Sequence, residues 1–290
     1  MVDSAPFSVE SFTATDGYVL HYRRFAPAEK PRGRIVFLHG IQSHAGWYEH
    51  SCHRLQQAGF LVDFLDRRGS GANVHERGDV RTFRRLIADV HEFLGQNASD
   101  SLPVFLGGIS WGGKVAMGVL RQRPESVDGL ILVCPGFFAR VRPPLGARLR
   151  IAAARLTHSG RYFPIPLSDP SLFTSSPAWQ EFIRKDKAAI HQATARLLVE
   201  SVRLDRHIRI AGKYVHAPVL LLLAQRDQII DNKTTRGYVE RFATNDKTII
   251  EYAGAQHTLE FESNPEPFIR DIADWVSSHI PGVPAEEPNP

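Results

Sequence analysis

Cysteine is nearly absent: Cys52 and Cys134 are the two in 290 residues. That excludes the dense disulfide framework of a small secreted domain, and two buried free thiols are the expected state. The opening residues MVDSAPFSVESF lack a basic stretch followed by an apolar core. No secretory signal is therefore expected, and the default compartment is cytoplasmic. No apolar run is long enough to cross a bilayer. Charge of one sign is also scarce, since 35 Lys plus Arg face 31 Asp plus Glu. The basic residues are not gathered with stacking aromatics, so no nucleic-acid partner is expected. Gly69-Ser70-Gly71 and Gly107-Gly108 fall short of the Gly-x-Gly-x-x-Gly pattern, and there is no phosphate-loop lysine motif. No organic cofactor is called for.

What is present reads as an ordinary globular chain, 43% hydrophobic and 23% charged, able to bury one large core with an excursion or to divide into two modest domains. The segments RIVFL, FLVDFL, PVFLG, GLILVC and APVLLLLA are short, apolar and bounded by turn formers, which predicts strands buried on both faces. Helices are predicted around 46–58, 80–94, 112–122, 232–243 and 265–279. This alternation gives an α/β fold class, a mostly parallel central sheet flanked by helices. VESFTA and VLHYRRF, separated by Asp16-Gly17, predict an antiparallel hairpin leading into the sheet. The alternation breaks at residues 137–215, where AWQEFIRKDKAAIHQATARLLVESV has helical periodicity. Because a strand pattern resumes afterwards, this stretch is expected to be an inserted helical cap between core pieces 1–136 and 216–290. The final PGVPAEEPNP is expected to be a frayed tail.

The stretch LPVFLGGISWGGKVAMGVL runs a strand into Gly108-x-Ser110-x-Gly112 and out into a helix. Glycines two positions either side of a serine permit a sharp elbow that leaves the hydroxyl prominent, with the amides of the following helix aimed at it. Ser110 is thus the candidate nucleophile. A serine needs a base, and the base needs an orienter. His257 follows the last strand-like run as candidate base. Asp227 follows VLLLLA as candidate orienter, with Asp231 four residues on as its rival. The chain order serine, acid, histidine is that of a hydrolase. Backbone N–H groups of Ile41, after the His39-Gly40 turn, and of Trp111, after the nucleophile, are the candidate oxyanion donors.

With LHGIQSHAGWY, DRRGSG, GISWGG, RDQIID and AGAQHTLE in that order, the chain resembles an α/β-hydrolase of the monoacylglycerol lipase and lysophospholipase-like group, which includes enzymes labelled serine aminopeptidases. The resemblance spans about residues 10 to 280. It implies an eight-stranded, mostly parallel sheet with a helical cap, and the same five residues, Ser110, Asp227, His257, Ile41 and Trp111, in the site. Two positions depart from the group: Ser70 replaces a usual histidine in Asp66-Arg67-Arg68-Gly69-Ser70-Gly71, and Trp111 stands where a smaller or flexible residue is common. Asp66 and Arg68 are expected to brace loops beside the site. The implied reaction is hydrolysis of a small-molecule ester or monoacyl lipid through an acyl-serine. Peptide or amide cleavage and acyl transfer use the same apparatus, and a non-catalytic interaction protein is the remaining alternative. A free-amine substrate would call for an acidic anchor, for which Asp169, Glu181, Asp186 and Glu200 are candidates. In the cap, Arg140, Arg142, Arg148, Arg150 and Arg155 among apolar residues allow peripheral contact with a membrane surface. His39, His44, His50 and His53 cluster in sequence without a metal-binding motif, so no metal is expected.

Overall fold

The computed structural model describes residues 7–96 and 102–280; the expected C-terminal tail lies outside them. In chain order, β1 (Ser8–Thr13) and β2 (Val19–Phe25) precede β3 (Arg34–Leu38), α1 (Glu49–Gln57), β4 (Leu61–Leu65), α2 (Phe83–Gln96), β5 (Val104–Ile109), α3 (Gly112–Gln122) and β6 (Gly129–Val133). Then come α4 (Leu145–Thr157), β7 (Tyr162–Pro164), α5 (Pro177–Lys185), β8 (Gln192–Thr194) and α6 (Ala195–Ile208). The chain closes with β9 (Val219–Ala224), α7 (Asn232–Val239), β10 (Lys247–Tyr252) and α8 (Glu266–Ser278).

Eight strands form one sheet in the order β1-β2-β4-β3-β5-β6-β9-β10. The pairs β1/β2 and β2/β4 are antiparallel and all others parallel. Every residue of β3, β6 and β9 is buried, which is why these strands read as unbroken apolar runs. The β1–β2 hairpin turns at Asp16-Gly17, where Asp16 Oδ1 accepts from the Tyr18 N–H and Gly17 has φ +83°. Right-handed crossovers put α1 on one face and α2 and α3 on the other, because the chain moves outward from β3 to β4 and then reverses to β5 and β6. Accordingly α1 packs on α8, and α2 on α3.

Between β6 and β9 the chain leaves the sheet. The excursion holds the expected helices and also a two-stranded β7/β8 ribbon that the sequence did not suggest. Its last helix is fastened to the core. Glu200 accepts from the Phe83 N–H at 3.0 Å, Trp111 Nε1–H donates to Ser201 Oγ at 2.8 Å, and Asp205 pairs with Lys114 at 2.6 Å. Asp79 receives Thr194 Oγ1–H at 2.6 Å and pairs with Arg196. In contrast, α4 packs through Ile151 and Ala154 onto a small cluster with Phe163 and Ala195. No helix among the described residues is long and apolar enough to cross a membrane.

Candidate active site

The site lies at the carboxyl ends of the parallel strands, where a doubly wound sheet opens a crevice. Strand β5 delivers Ser110 and α3 departs two residues later, so the chain must reverse within a single residue. Ser110 takes φ +51°, a left-handed conformation that is costly for a residue with a Cβ. The surroundings enforce it: its N–H donates to the Val133 carbonyl at 2.9 Å, and its carbonyl accepts from Gly113 at 3.0 Å and Gly136 at 2.7 Å. The flanking glycines are a steric necessity. A Cβ on Gly112 would lie 2.2 Å from the Leu38 carbonyl oxygen, and one on Gly108 would lie 2.6 Å from the Gly113 Cα.

The residues expected to act together converge. His257 Nε2 lies 2.9 Å from Ser110 Oγ, and His257 Nδ1 lies 2.6 Å from Asp227 Oδ2. A carboxylate can only accept, so Nδ1–H donates to Asp227 and Nε2 is left to accept from the serine hydroxyl. Asp227 is itself fixed, because its Oδ1 accepts from the N–H groups of Ile229 at 2.8 Å and Ile230 at 3.0 Å. His257 and Asp227 are buried, while Ser110 is half-buried. The rival Asp231 is a half-buried helix cap, accepting from the Thr234 N–H at the start of α7 at 2.8 Å. Those bonds hold its carboxyl below the usual range.

Above Ser110 runs the loop after β3. Gly40 packs against Ser110, close enough that a Cβ there would meet the Ser110 Cβ at 3.4 Å. Next to it, the N–H of Ile41 donates to no protein acceptor among the described residues, and neither does the N–H of Trp111. Two free amides beside a serine are what a developing oxyanion requires. Asp66 braces this loop as expected, its two carboxylate oxygens accepting from Ala45 N–H at 2.8 Å and Ala72 N–H at 2.9 Å. Arg68 forms a buried pair with Asp89 at 2.7 Å. Ser70, in place of a histidine, keeps one link by donating to the Ser43 carbonyl at 3.3 Å.

The four clustered histidines do not meet. His39 contacts the Gly40 carbonyl, His44 pairs with Asp186, His50 with Glu266 and His53 with Gln56. Among the described residues the one metal-like gathering is Cys134, Asp227 and His257, with ligand atoms within 4.8 Å of one another. Both His257 nitrogens there already serve Asp227 and Ser110. Burial pushes the Cys134 thiol well above its ordinary pKa, and the Asp227 charge adds to it.

Sequence reasoning missed Glu260 and Arg67 around the site, and named Asp186 only as a candidate anchor for a free amine. Asp186, at the end of α5, receives His44 Nε2–H at 2.9 Å and Trp47 Nε1–H at 2.6 Å. Burial works against its charge, but these bonds outweigh it and hold the carboxyl at about 2. Next to it, Ile190 N–H donates to the Gln42 carbonyl at 2.9 Å, so residues 186–190 are stapled to the loop that carries Ile41. Glu260, three residues after His257, reaches the start of α1. Arg67 reaches the Gly40 and Ile41 carbonyls. The only sequence signal for Arg67 was a second cation beside Arg68.

A sequence model of the serine aminopeptidase S33 family matches residues 29–264. The chain belongs to that family. A monoacylglycerol lipase of Mycolicibacterium smegmatis is 26% identical over 282 residues, covering 96% of this chain and 99% of the relative. A monoglyceride lipase of Mus musculus is 28% identical over 279 residues, covering 91% and 89%. Of solved structures, a monoacylglycerol lipase of Paleococcus ferrophilus superposes with TM-score 0.81 at 24% identity, covering 90% of this chain and 99% of that one. A monoglyceride lipase of Saccharomyces cerevisiae in complex with a substrate analog gives TM-score 0.85 at 18% identity, covering 97% and 98%. At such identities the structural likeness establishes the α/β-hydrolase fold of this S33 member.

Proposed function

We propose that this chain is a serine hydrolase that cleaves carboxylic esters of monoacyl lipids or similar apolar esters through an acyl-serine intermediate. The observation that carries the reading is the unbroken hydrogen-bonded series from Ser110 through His257 to Asp227. His257 Nε2 takes the hydroxyl proton as Ser110 Oγ adds to the ester carbonyl carbon, and Asp227 stabilises the imidazolium that forms. The Ile41 and Trp111 amides receive the oxyanion. Collapse expels the alcohol, protonated by His257, and leaves the acyl group on Ser110. His257 then deprotonates a water that attacks this acyl group and restores the serine.

An ester is favoured over a peptide with a free amine because the candidate anchors are engaged elsewhere. Asp169 caps its own turn and Glu181 pairs with Arg184 and Lys185. Glu200 is held by the Phe83 N–H and Arg203, and Asp186 by His44 and Trp47. The names of the relatives point the same way. Residues 137–215 form the cap over core pieces 1–136 and 216–290. On α4, Leu145, Leu149 and Leu156 fall on one face and are 68%, 64% and 88% exposed, with Arg148 and Arg150 alongside, which suits peripheral contact with a lipid surface. Two buried unpaired thiols, Cys52 and Cys134, suit the reducing cytoplasm.

The test is labelling with a fluorophosphonate probe, followed by a panel of p-nitrophenyl esters of increasing chain length. Stoichiometric labelling of wild type and none of Ser110→Ala is expected, with turnover rising toward longer chains. A folded wild type that resists the probe would overturn the assignment.

A further inference from the structure

Arg67 has an unusual set of partners. Its Nη1–H donates to the Gly40 carbonyl at 3.0 Å and its Nη2–H to the Ile41 carbonyl at 2.9 Å. The guanidinium carbon lies 5.0 Å from the centre of the Trp111 ring. Its own N–H donates to His39 Nε2 at 2.9 Å, which leaves His39 Nδ1–H to donate to the same Gly40 carbonyl at 2.7 Å. Burial, with the Arg67 charge adding to it, keeps His39 neutral and so preserves that tautomer. Arg67 itself is pulled down by burial, against the attraction of Asp66, to about 10, which leaves it charged at neutral pH.

The neighbouring arginine shows what a structural arginine does here. Arg68 pairs with Asp89 and Asp16. Among the described residues Arg67 pairs with no carboxylate and directs its side-chain donors at two successive backbone carbonyls. A part-buried cation with no carboxylate in direct contact is costly unless its hydrogen bonds are satisfied. Its geometry also has a directional effect. In a trans peptide the C=O and N–H point in opposite directions, and no peptide among the described residues is cis. With the Gly40 oxygen held by both His39 and Arg67, the N–H of Ile41 is directed to the opposite side and is left without a protein acceptor.

We propose that Arg67 is a positioning residue for the oxyanion site, fixing the Gly40–Ile41 and Ile41–Gln42 peptides through one carbonyl contact each and the Trp111 backbone through its indole ring. This inference rests on the oxyanion role given above to Ile41 and Trp111. A cation on the Gly40 carbonyl also polarises that peptide, so its N–H becomes a stronger donor as negative charge develops on the substrate. Neutral His39 cannot supply this alone. Trp111, the larger residue at the elbow, then provides the face on which the guanidinium rests.

The experiment compares wild type, Arg67→Met and Arg67→Lys on p-nitrophenyl butyrate. It also measures inhibition by an alkyl trifluoromethyl ketone and by the alcohol of the same chain length. Ser110 Oγ adds to the ketone carbonyl carbon as its proton passes to His257, and the carbonyl oxygen becomes an oxyanion in the site; the alcohol forms none. Arg67→Met is expected to lower kcat by about 10- to 100-fold with KM within about 2-fold, and to weaken the ketone by the same factor as kcat while sparing the alcohol. Arg67→Lys, which cannot span both carbonyls, should fall between. A folded Arg67→Met with wild-type kcat, or equal weakening of ketone and alcohol, overturns the inference. If Arg67→Met does not fold, the same readouts on Arg67→Lys decide. Ser110→Ala separates the two levels: hydrolysis surviving in that variant sinks the serine mechanism itself, whereas loss there with an undiminished Arg67→Met sinks only the role of Arg67.

Discussion

Asp227 divides its carboxylate between two tasks, one oxygen on the Ile229 and Ile230 amides and the other on His257. Replacing it with asparagine keeps the shape but places an amide where the imidazole needs an acceptor, so the ring turns to the wrong tautomer. Asp227→Asn is therefore expected to lower kcat by about 10⁴-fold with little change in KM, read by steady-state kinetics on a variant of unchanged melting temperature. A loss below about 10-fold would place the orienting group elsewhere. Ser110 was legible because a nucleophile elbow is a steric pattern: Gly108 and Gly112 stand where a Cβ would collide with the backbone, and collisions leave a record in spacing; Asp227 and His257 were legible from their places after apolar strands, in the order serine, acid, histidine. Arg67 was not legible. Its effect runs through the direction of one carbonyl, and nothing in Asp-Arg-Arg-Gly records which of two adjacent arginines turns inward to a carboxylate and which to a loop.

At the scale of elements, α1 depends on a residue remote in sequence. Tyr48 precedes the helix and offers no side-chain cap, and the open amides of Ser51, at 3.0 Å, and His50 are served instead by the Glu260 carboxylate. Burial raises Glu260 to about 7 although those same bonds favour its charged form, and its second oxygen has no partner among the described residues. A carboxyl group whose pKa is raised on folding favours the native state most when protonated. Its contribution is complete below the unfolded value near 4.5 and is lost as pH rises through about 7. Denaturant titrations at pH 5 and 8 should show wild type losing about 3 kcal/mol of stability from this group, and Glu260→Gln losing little of it. An unchanged pH dependence in Glu260→Gln would refute the assignment. Helix α1 was expected from residue 46 and starts at Glu49, because Ala45–Trp47 form a tight 3₁₀ turn that shares its apolar pattern. The β7/β8 ribbon escaped notice because strands of three residues are too short to show alternation.

For the molecule as a whole, the sheet was the most legible feature, since strands buried on both faces leave apolar runs that helices cannot imitate at that length. How firmly each part of the excursion is attached was not legible. Helix α6 is bonded to the core through Glu200, Ser201 and Asp205, whereas α4 stands on a small apolar cluster and turns its leucines to solvent. A molecule resting on a lipid surface through that face should lose hold when the leucines go. In sedimentation with anionic vesicles, Leu149→Ser with Leu156→Ser is expected to weaken partitioning by about 10-fold or more. Undiminished partitioning of that double variant would exclude α4 as the contact.

The proposed nucleophile, base, orienter and oxyanion amides all hang from the ends of β3, β5, β9 and β10, and none belongs to the excursion. A substitution in the excursion therefore leaves all five of those residues unaltered. The excursion is nevertheless stitched to the loops that carry them, through Phe173 and Thr174 to Thr258 and Phe261, and through Asp186 and Ile190 to His44, Trp47 and Gln42. Helix α4, standing on its own small cluster, is the part free to drift across generations, while residues from 173 onward are bound to the inheritance of the core.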